Sequence, residues 1–325
     1  MNRAELRRKA AEETDKRRFR AEQEAKARAD EIEKEIPQIS EIRRMLTRTA
    51  SELSMDIVRR SKGYKSNFEK IRQNSLDGQQ MIKDLLRSKG YPEDYLEVHY
   101  RCSTCEDRGY VDGKPCQCLE RLISRLAAEE LNRSANMPQA DFDHFSLEYY
   151  RGVSVGGTDC FALMKENLDY CLRYAAEFSH SSGNILMYGK TGVGKTHMSM
   201  AIAKALTEKG FNVIYGSVIN ILRAVEDEHF GRADKSLDTL SALFECDLLI
   251  LDDLGSEHVT PFNETALYNI INTRINTGSP IIISTNLIGD ELSEFYNERI
   301  ISRIICSSKR LRFAGRDIRQ LKNMS

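Results

Sequence analysis

Asn184-Ile185-Leu186-Met187-Tyr188-Gly189-Lys190-Thr191-Gly192-Val193-Gly194-Lys195-Thr196 is the stretch that decides the fold. An apolar run reads as a strand. It is followed by G-x-x-x-x-G-K-[ST] in full, and then by a helix-length segment from His197 to Glu208. Strand, glycine-rich turn and helix in that order make a phosphate-binding loop. The glycines let successive backbone N–H groups converge on phosphates at a helix N-terminus, where the dipole favours an anion. Gly189, Lys190, Thr191, Gly192, Val193, Gly194, Lys195 and Thr196 are therefore the expected nucleotide-binding residues. Lys195 is expected to meet the β- and γ-phosphates of ATP, and the Thr196 hydroxyl to ligate Mg²⁺.

Downstream, short Ile/Leu/Val runs alternate with helix-length segments: Asn212–Tyr215, Asp247–Leu251, Pro280–Thr285 and Lys309–Phe313. Runs with little polar alternation suggest strands buried on both faces, hence a parallel sheet between helices. The run Leu248–Leu251 ends in Asp252-Asp253, two carboxylates at a strand's C-terminal edge, where an α/β sheet binds its ligand. Asp252 is expected to hold Mg²⁺ through its water shell, and Asp253 to orient and deprotonate the attacking water. Asn286 closes the run Ile281–Thr285. It is read either as a turn former or as an amide bonding the γ-phosphate or the lytic water. Arg299 and Arg303 lie on a helical stretch. They are either a solvated face or a guanidinium lent to a neighbouring subunit's phosphoryl group.

In this order the motifs resemble Walker A, Walker B, sensor 1 and the arginine finger of AAA+ ATPases. More narrowly, Leu251-Asp252-Asp253-Leu254-Gly255, Ile283-Ser284-Thr285-Asn286-Leu287 and Phe313-Ala314-Gly315-Arg316-Asp317-Ile318-Arg319 resemble the DnaC/DnaI family of replicative helicase loaders, to which IstB transposition ATPases are close. The resemblance covers about residues 138–322. It implies an α/β core with a five-stranded parallel sheet, ATP hydrolysis, and self-assembly into an ATP-dependent spiral. Asn286 then becomes sensor 1, Arg303 the first finger and Arg299 the second. The chain ends soon after its last expected strand, which leaves no room for the helical lid that usually supplies a sensor 2 arginine. Arg316 and Arg319 remain minor candidates for nucleotide contact. The implied function is ATP-dependent loading of a hexameric replicative helicase onto single-stranded DNA. The alternative is an IstB-like transposition helper acting on duplex DNA.

Upstream, Cys102-x-x-Cys105 and Cys116-x-Cys118 bring four thiols into one short segment, with Gly109, Gly113 and Pro115 favouring a tight return. Zn²⁺ takes four sulfur or nitrogen ligands in a tetrahedron, so a closed structural zinc site is expected, with His99 a possible substitute ligand. Clustered cysteines in an ATPase point to a reducing compartment, and the expected location is cytoplasmic. A cysteine-rich segment ahead of the core resembles the helicase-binding N-terminal domain of DnaI-type loaders. From Asn2 to Glu35 the chain carries 11 Lys/Arg and 10 Asp/Glu with few apolar residues, which reads as a solvated helical arm. The 325 residues thus divide into an arm (1–36), a helical zinc-binding domain (37–135) and an ATPase domain (136–325). A net charge of −1 excludes a polycation, so any DNA contact is local. No run reaches the roughly 20 apolar residues of a membrane helix.

Overall fold

The computed structural model describes residues 3–58, 64–134, 140–231 and 239–324. The turn-prone Asn136-Met137-Pro138 lies outside them, as do Arg232 and Lys235. Packing divides the chain into two units: Ala11–Cys116, and the remainder, which joins the residues up to Ala10 with those from Gln117 onward. Composition sets its boundaries elsewhere, near 36 and 135, because it registers charge and not contact.

Within Ala11–Cys116 run most of α1 (Arg3–Glu35), α2 (Pro37–Val58), α3 (Tyr64–Ser88) and a hairpin of β1 (Tyr110–Val111) with β2 (Lys114–Pro115). Pro37 stops α1 and opens α2, since a proline costs nothing at a helix's first position. The solvated arm expected up to Glu35 is corrected here. Ala25, Ala29, Ile32, Ile36 and Ile39 are all buried. Their spacing of four and three keeps a narrow apolar stripe in register even where charge dominates the composition. Ile32, Ile36, Ile39 and Leu86 form one cluster. Arg28 donates to the carbonyls of Tyr95 and Glu97, both at 2.8 Å.

The second unit holds α4 (Gln117–Ser134), a hairpin of β3 (Ser154–Val155) with β4 (Thr158–Asp159), and α5 (Cys160–Ala176). Then come β5 (Asn184–Tyr188), α6 (Lys195–Glu208), β6 (Val213–Ser217), α7 (Val218–His229), α8 (Thr239–Glu245) and β7 (Leu248–Leu254). It closes with α9 (Pro261–Thr277), β8 (Ile281–Thr285), α10 (Asp290–Phe295), α11 (Glu298–Ser307), β9 (Ser308–Arg312) and α12 (Ile318–Met324). The expected five-stranded parallel sheet is present, in the order β6-β7-β8-β5-β9. Alternate residues serve opposite faces. Leu249, Leu251, Ile281 and Ile283 pack with α7, α8, α9 and α11 residues, while Leu248, Ile250 and Ile282 join Met164, Met198 and Ile202 of α5 and α6. Each such side chain contributes about 1.5–3 kcal/mol by leaving water, which is why continuous apolar runs become central strands. At the N-terminal end of α1, Leu6 joins the first of these clusters, and Ala10 packs with Leu119 and Leu122 of α4.

β5 is flanked by β8 and β9, and the chain leaves it for the far edge before returning. Such a reversal of strand order opens a crevice at the carboxyl ends of the strands, where ligands bind. No helix among the described residues is long and apolar enough to cross a membrane.

Candidate functional site

A cavity of about 640 Å³ opens at that carboxyl edge. Thr191, Gly192, Gly194, Lys195 and Thr196 line one end, with Asp252, Asp253, Ser284 and Asn286 facing them. Ala140, His144, Phe145, Tyr149, Tyr150 and Met200 line the apolar remainder.

Lys195 opens α6 and points back over the loop. Its ammonium donates to the carbonyls of Gly189 at 2.5 Å and Lys190 at 2.8 Å, and to Asn286 Oδ1 at 2.7 Å. All three acceptors are neutral, so the cation has polar contacts but no directly bonded carboxylate. Burial above all pushes its pKa down to about 8; Asp253 and Asp252 pull the other way, and Arg319 adds to the lowering. An anion bound here favours the ammonium. Phosphate affinity should therefore be complete below about pH 8 and fall as pH rises through it, by up to about tenfold per unit. Titrating nucleotide affinity from about pH 7 to about pH 9.5 checks this, and a flat profile would contradict it.

Asp252 is buried and accepts from three hydroxyls: Thr196 at 3.0 Å, Tyr215 at 2.7 Å and Ser284 at 2.5 Å. In a regular strand the next residue would face the opposite side of the sheet. Here the register slips. Leu251 pairs with Ile283, but Leu254 pairs with Thr285, so β7 carries one extra residue against β8. The bulge falls at Asp252–Asp253, and Asp253 takes the left-handed φ of 61°. A bulge re-aims side chains, and Asp is among the few non-glycine residues that adopt this conformation readily. Both carboxylates consequently line the cavity. Ser284 Oγ also accepts the Asp253 N–H at 3.0 Å, so one buried hydroxyl fixes both acids. Asn286 Nδ2 donates to Asp253 Oδ1, which makes its amide a bridge between Lys195 and Asp253.

At the other end, the Asp141 carbonyl bonds His197 Nε2 at 2.8 Å, and its carboxylate takes Lys204 at 2.9 Å. The Lys204 ammonium, then His144, holds that carboxyl well below the usual carboxylate range. Phe145 packs edge-on to His197 and beside Tyr150, whose hydroxyl donates to the Val193 carbonyl at 3.0 Å. Phe142 packs nearby but does not line the cavity.

A loop lysine, a hydroxyl, paired carboxylates and a strand-end amide converge on one end of the cavity, and the family comparison agrees with that chemistry. Residues 172–322 match the family of IstB-like ATP-binding proteins. Beyond it, the chain is 26% identical over 191 residues to the replicative helicase loader DnaC of Escherichia coli K12, covering 56% of this chain and 75% of that protein. An ATP-binding protein of an insertion sequence in Mycobacterium tuberculosis is 28% identical over 145 residues, covering 43% and 57%. Among solved structures, that of the DnaC helicase loader shares 22% identity, covers 53% of this chain and 98% of its own, and has a TM-score of 0.45.

Arg299 and Arg303 lie outside the cavity lining. Both sit on α11, where Asn297 caps the helix by accepting the Ile300 N–H at 3.0 Å. Arg299 is exposed. Arg303 lies over the Tyr268 ring, 5.4 Å from its centroid, and donates to the Tyr268 hydroxyl at 3.2 Å. Arg319 does line the cavity, whereas Arg316 does not. Tyr150 and Tyr215 are site residues that motif reading misses. Ser284 lies within the quoted stretch Ile283–Leu287, but its role as the hydroxyl that holds both Asp252 and Asp253 is not legible there.

The four expected zinc ligands converge. The sulfurs of Cys102, Cys105, Cys116 and Cys118 all lie within 4.8 Å of one another, and none of the eight cysteines is in a disulfide. Cys102 and Cys116 are 3.8 Å apart, close to the edge of a tetrahedron with Zn–S bonds of about 2.3 Å. Asp107 is buried and accepts the N–H groups of Arg101 at 2.8 Å and Cys102 at 3.1 Å, which holds the knuckle closed. His99 instead faces Asp94 at 3.8 Å and is not among the grouped ligands.

Proposed function

We propose that the chain is an ATP-driven loader that places a hexameric replicative helicase on single-stranded DNA and is released by hydrolysis. The observation that carries this reading is its similarity to the replicative helicase loader DnaC over 191 residues, 56% of this chain. On this reading Lys195 exchanges its carbonyl partners for the β- and γ-phosphate oxygens of ATP. Thr196 and Asp252 offer the hard oxygen donors that suit Mg²⁺, which would neutralise phosphate charge there. Asp253 takes the proton of the attacking water, and Asn286 keeps that carboxylate in step with Lys195. Arg303, and second to it Arg299, faces the nucleotide of the next subunit in an assembled spiral.

Four soft thiolates fit zinc, which would stabilise the fold and take no part in chemistry. The region 37–135 is assigned to helicase binding, with 136–325 as the ATPase. Purified chain should hold about one zinc per molecule. Cys116→Ser should lower that content while nucleotide affinity stays within about twofold, as metal analysis and binding titrations would record.

The family description and the insertion-sequence relative favour one other reading, a transposition helper acting on duplex DNA. Immobilised full-length chain with ATP should retain a hexameric helicase and prefer single-stranded DNA. Retention of duplex DNA with no helicase would favour the helper instead.

A further inference from the structure

The turn that follows Asp253 is fastened to the head of α11. Ser256 Oγ donates to the Asp253 carbonyl at 2.6 Å, and the Gly255 N–H donates to Glu257 Oε2 at 3.0 Å. The other carboxylate oxygen, Glu257 Oε1, accepts the hydroxyl of Tyr296, the residue that joins α10 to α11. A second bond runs alongside, from Nδ2 of Asn297, the cap of α11, to Glu264 Oε1 of α9 at 2.7 Å. Leu287, next to Asn286, closes on the same turn: a Cβ on Gly255 would sit 2.5 Å from Leu287 Cδ1.

Glu257 and Tyr296 are each only 6% exposed, so the bond between them is dry. Both donors to the carboxylate, the Gly255 N–H and the Tyr296 hydroxyl, are neutral. Burying a charge against neutral donors is a poor route to stability, because an apolar pair of similar volume does as well or better. A charge-assisted bond does fix two groups in one geometry. Burial, then the bond to Glu257, pushes the Tyr296 hydroxyl well above the usual phenol range, so it keeps its proton and remains the donor. The helix that starts at this bond carries Arg299 and Arg303.

We propose that Tyr296 is a positioning residue for the α11 arginines: through Glu257 it ties them to the turn that follows Asp253. The base of one site and the guanidinium offered to the next are then set by a single buried bond. This deepens the ATPase reading and rests on it, since there α11 faces the nucleotide of a neighbouring subunit.

The test measures phosphate release from saturating ATP by the full chain over a range of protein concentrations, beside equilibrium binding of a non-hydrolysable ATP analogue. Tyr296→Phe keeps the ring and removes only the hydroxyl. It should lower kcat at high protein concentration about tenfold or more, with analogue affinity within about twofold. Glu257→Leu should lose as much. Glu257→Gln should stay within about threefold of the wild type, because its oxygen can keep the Gly255 N–H while its amide donates to the Tyr296 oxygen. In a chain already carrying Arg299→Ala and Arg303→Ala, Tyr296→Phe should cost less than about twofold more, since the three residues act as one unit. Wild-type kcat in Tyr296→Phe or Glu257→Leu, or an undiminished loss in the chain without the two arginines, overturns the proposal. Failure of the underlying reading looks different: turnover per wild-type chain would not rise with protein concentration, or removing both arginines would leave it unchanged.

Discussion

Asp253→Asn should lower ATP turnover by roughly 10²- to 10⁴-fold while leaving nucleotide affinity within about threefold. The expectation follows from how little else the substitution changes. Asn keeps an Oδ1 to accept from Asn286, and like Asp it tolerates the left-handed φ of 61° that the β7 bulge imposes. The backbone bond from the Asp253 N–H to Ser284 is untouched. The carboxylate's basicity is removed together with its charge, one of the two that pull the Lys195 pKa upward. Asp253→Ala would be the poorer experiment, since it mixes that loss with backbone strain. Single-turnover phosphate release, measured beside binding, separates the two quantities. Turnover that survives the change would remove Asp253 from the role of base.

Arg274→Ala should cost about 3–5 kcal/mol of stability, the largest effect expected away from the ATP site. This side chain is fully buried on α9, yet its direct partners are neutral. Its guanidinium donates to the carbonyls of Leu243 at 2.7 Å, Cys246 at 3.0 Å and Pro280 at 2.7 Å. The Leu243 and Cys246 carbonyls lie at the C-terminal end of α8, where the helix dipole favours a cation. One side chain therefore ties the entry of β7 to the entry of β8, the two strands whose far ends carry Asp252, Asp253 and Asn286. Removing it strands several buried carbonyls and leaves a cavity. Arg274→Lys supplies a single ammonium and should recover only part of the loss. Urea unfolding checks both variants, and a change below about 1 kcal/mol for Ala would contradict this account.

These two residues mark how far the sequence can be read. The strands were legible to within a few residues because Ile281–Ile283 and Leu248–Leu251 are buried on both faces, and nothing but a central parallel strand accommodates such runs. The phosphate loop was legible because its chemistry is local: the glycines, Lys195 and Thr196 act within eight consecutive residues. What stayed hidden depends on contacts distant in sequence. That adjacent Asp252 and Asp253 face one cavity requires a bulge set by pairing with β8, and no residue type announces it. Arg274 gives no signal in the sequence, because its acceptors come from α8, the residue after it and Pro280. Charge counting likewise hid the stripe through Ala25, Ala29 and Ile32, where the register of a few small residues outweighs the composition around them. The four cysteines could be paired with zinc from their spacing, but the part of Asp107 in closing their knuckle appears only once the loop is folded.

The central claim, a triphosphate held at the carboxyl edge of the sheet by Lys195, is tested most directly by equilibrium binding of ATP with Mg²⁺ to the wild-type chain and to Lys195→Ala. The account predicts retention by the wild type and a loss of at least about a hundredfold in the variant, with zinc content and unfolding midpoint unchanged. Equal affinity in the two proteins, or no retention by the wild type, would contradict it.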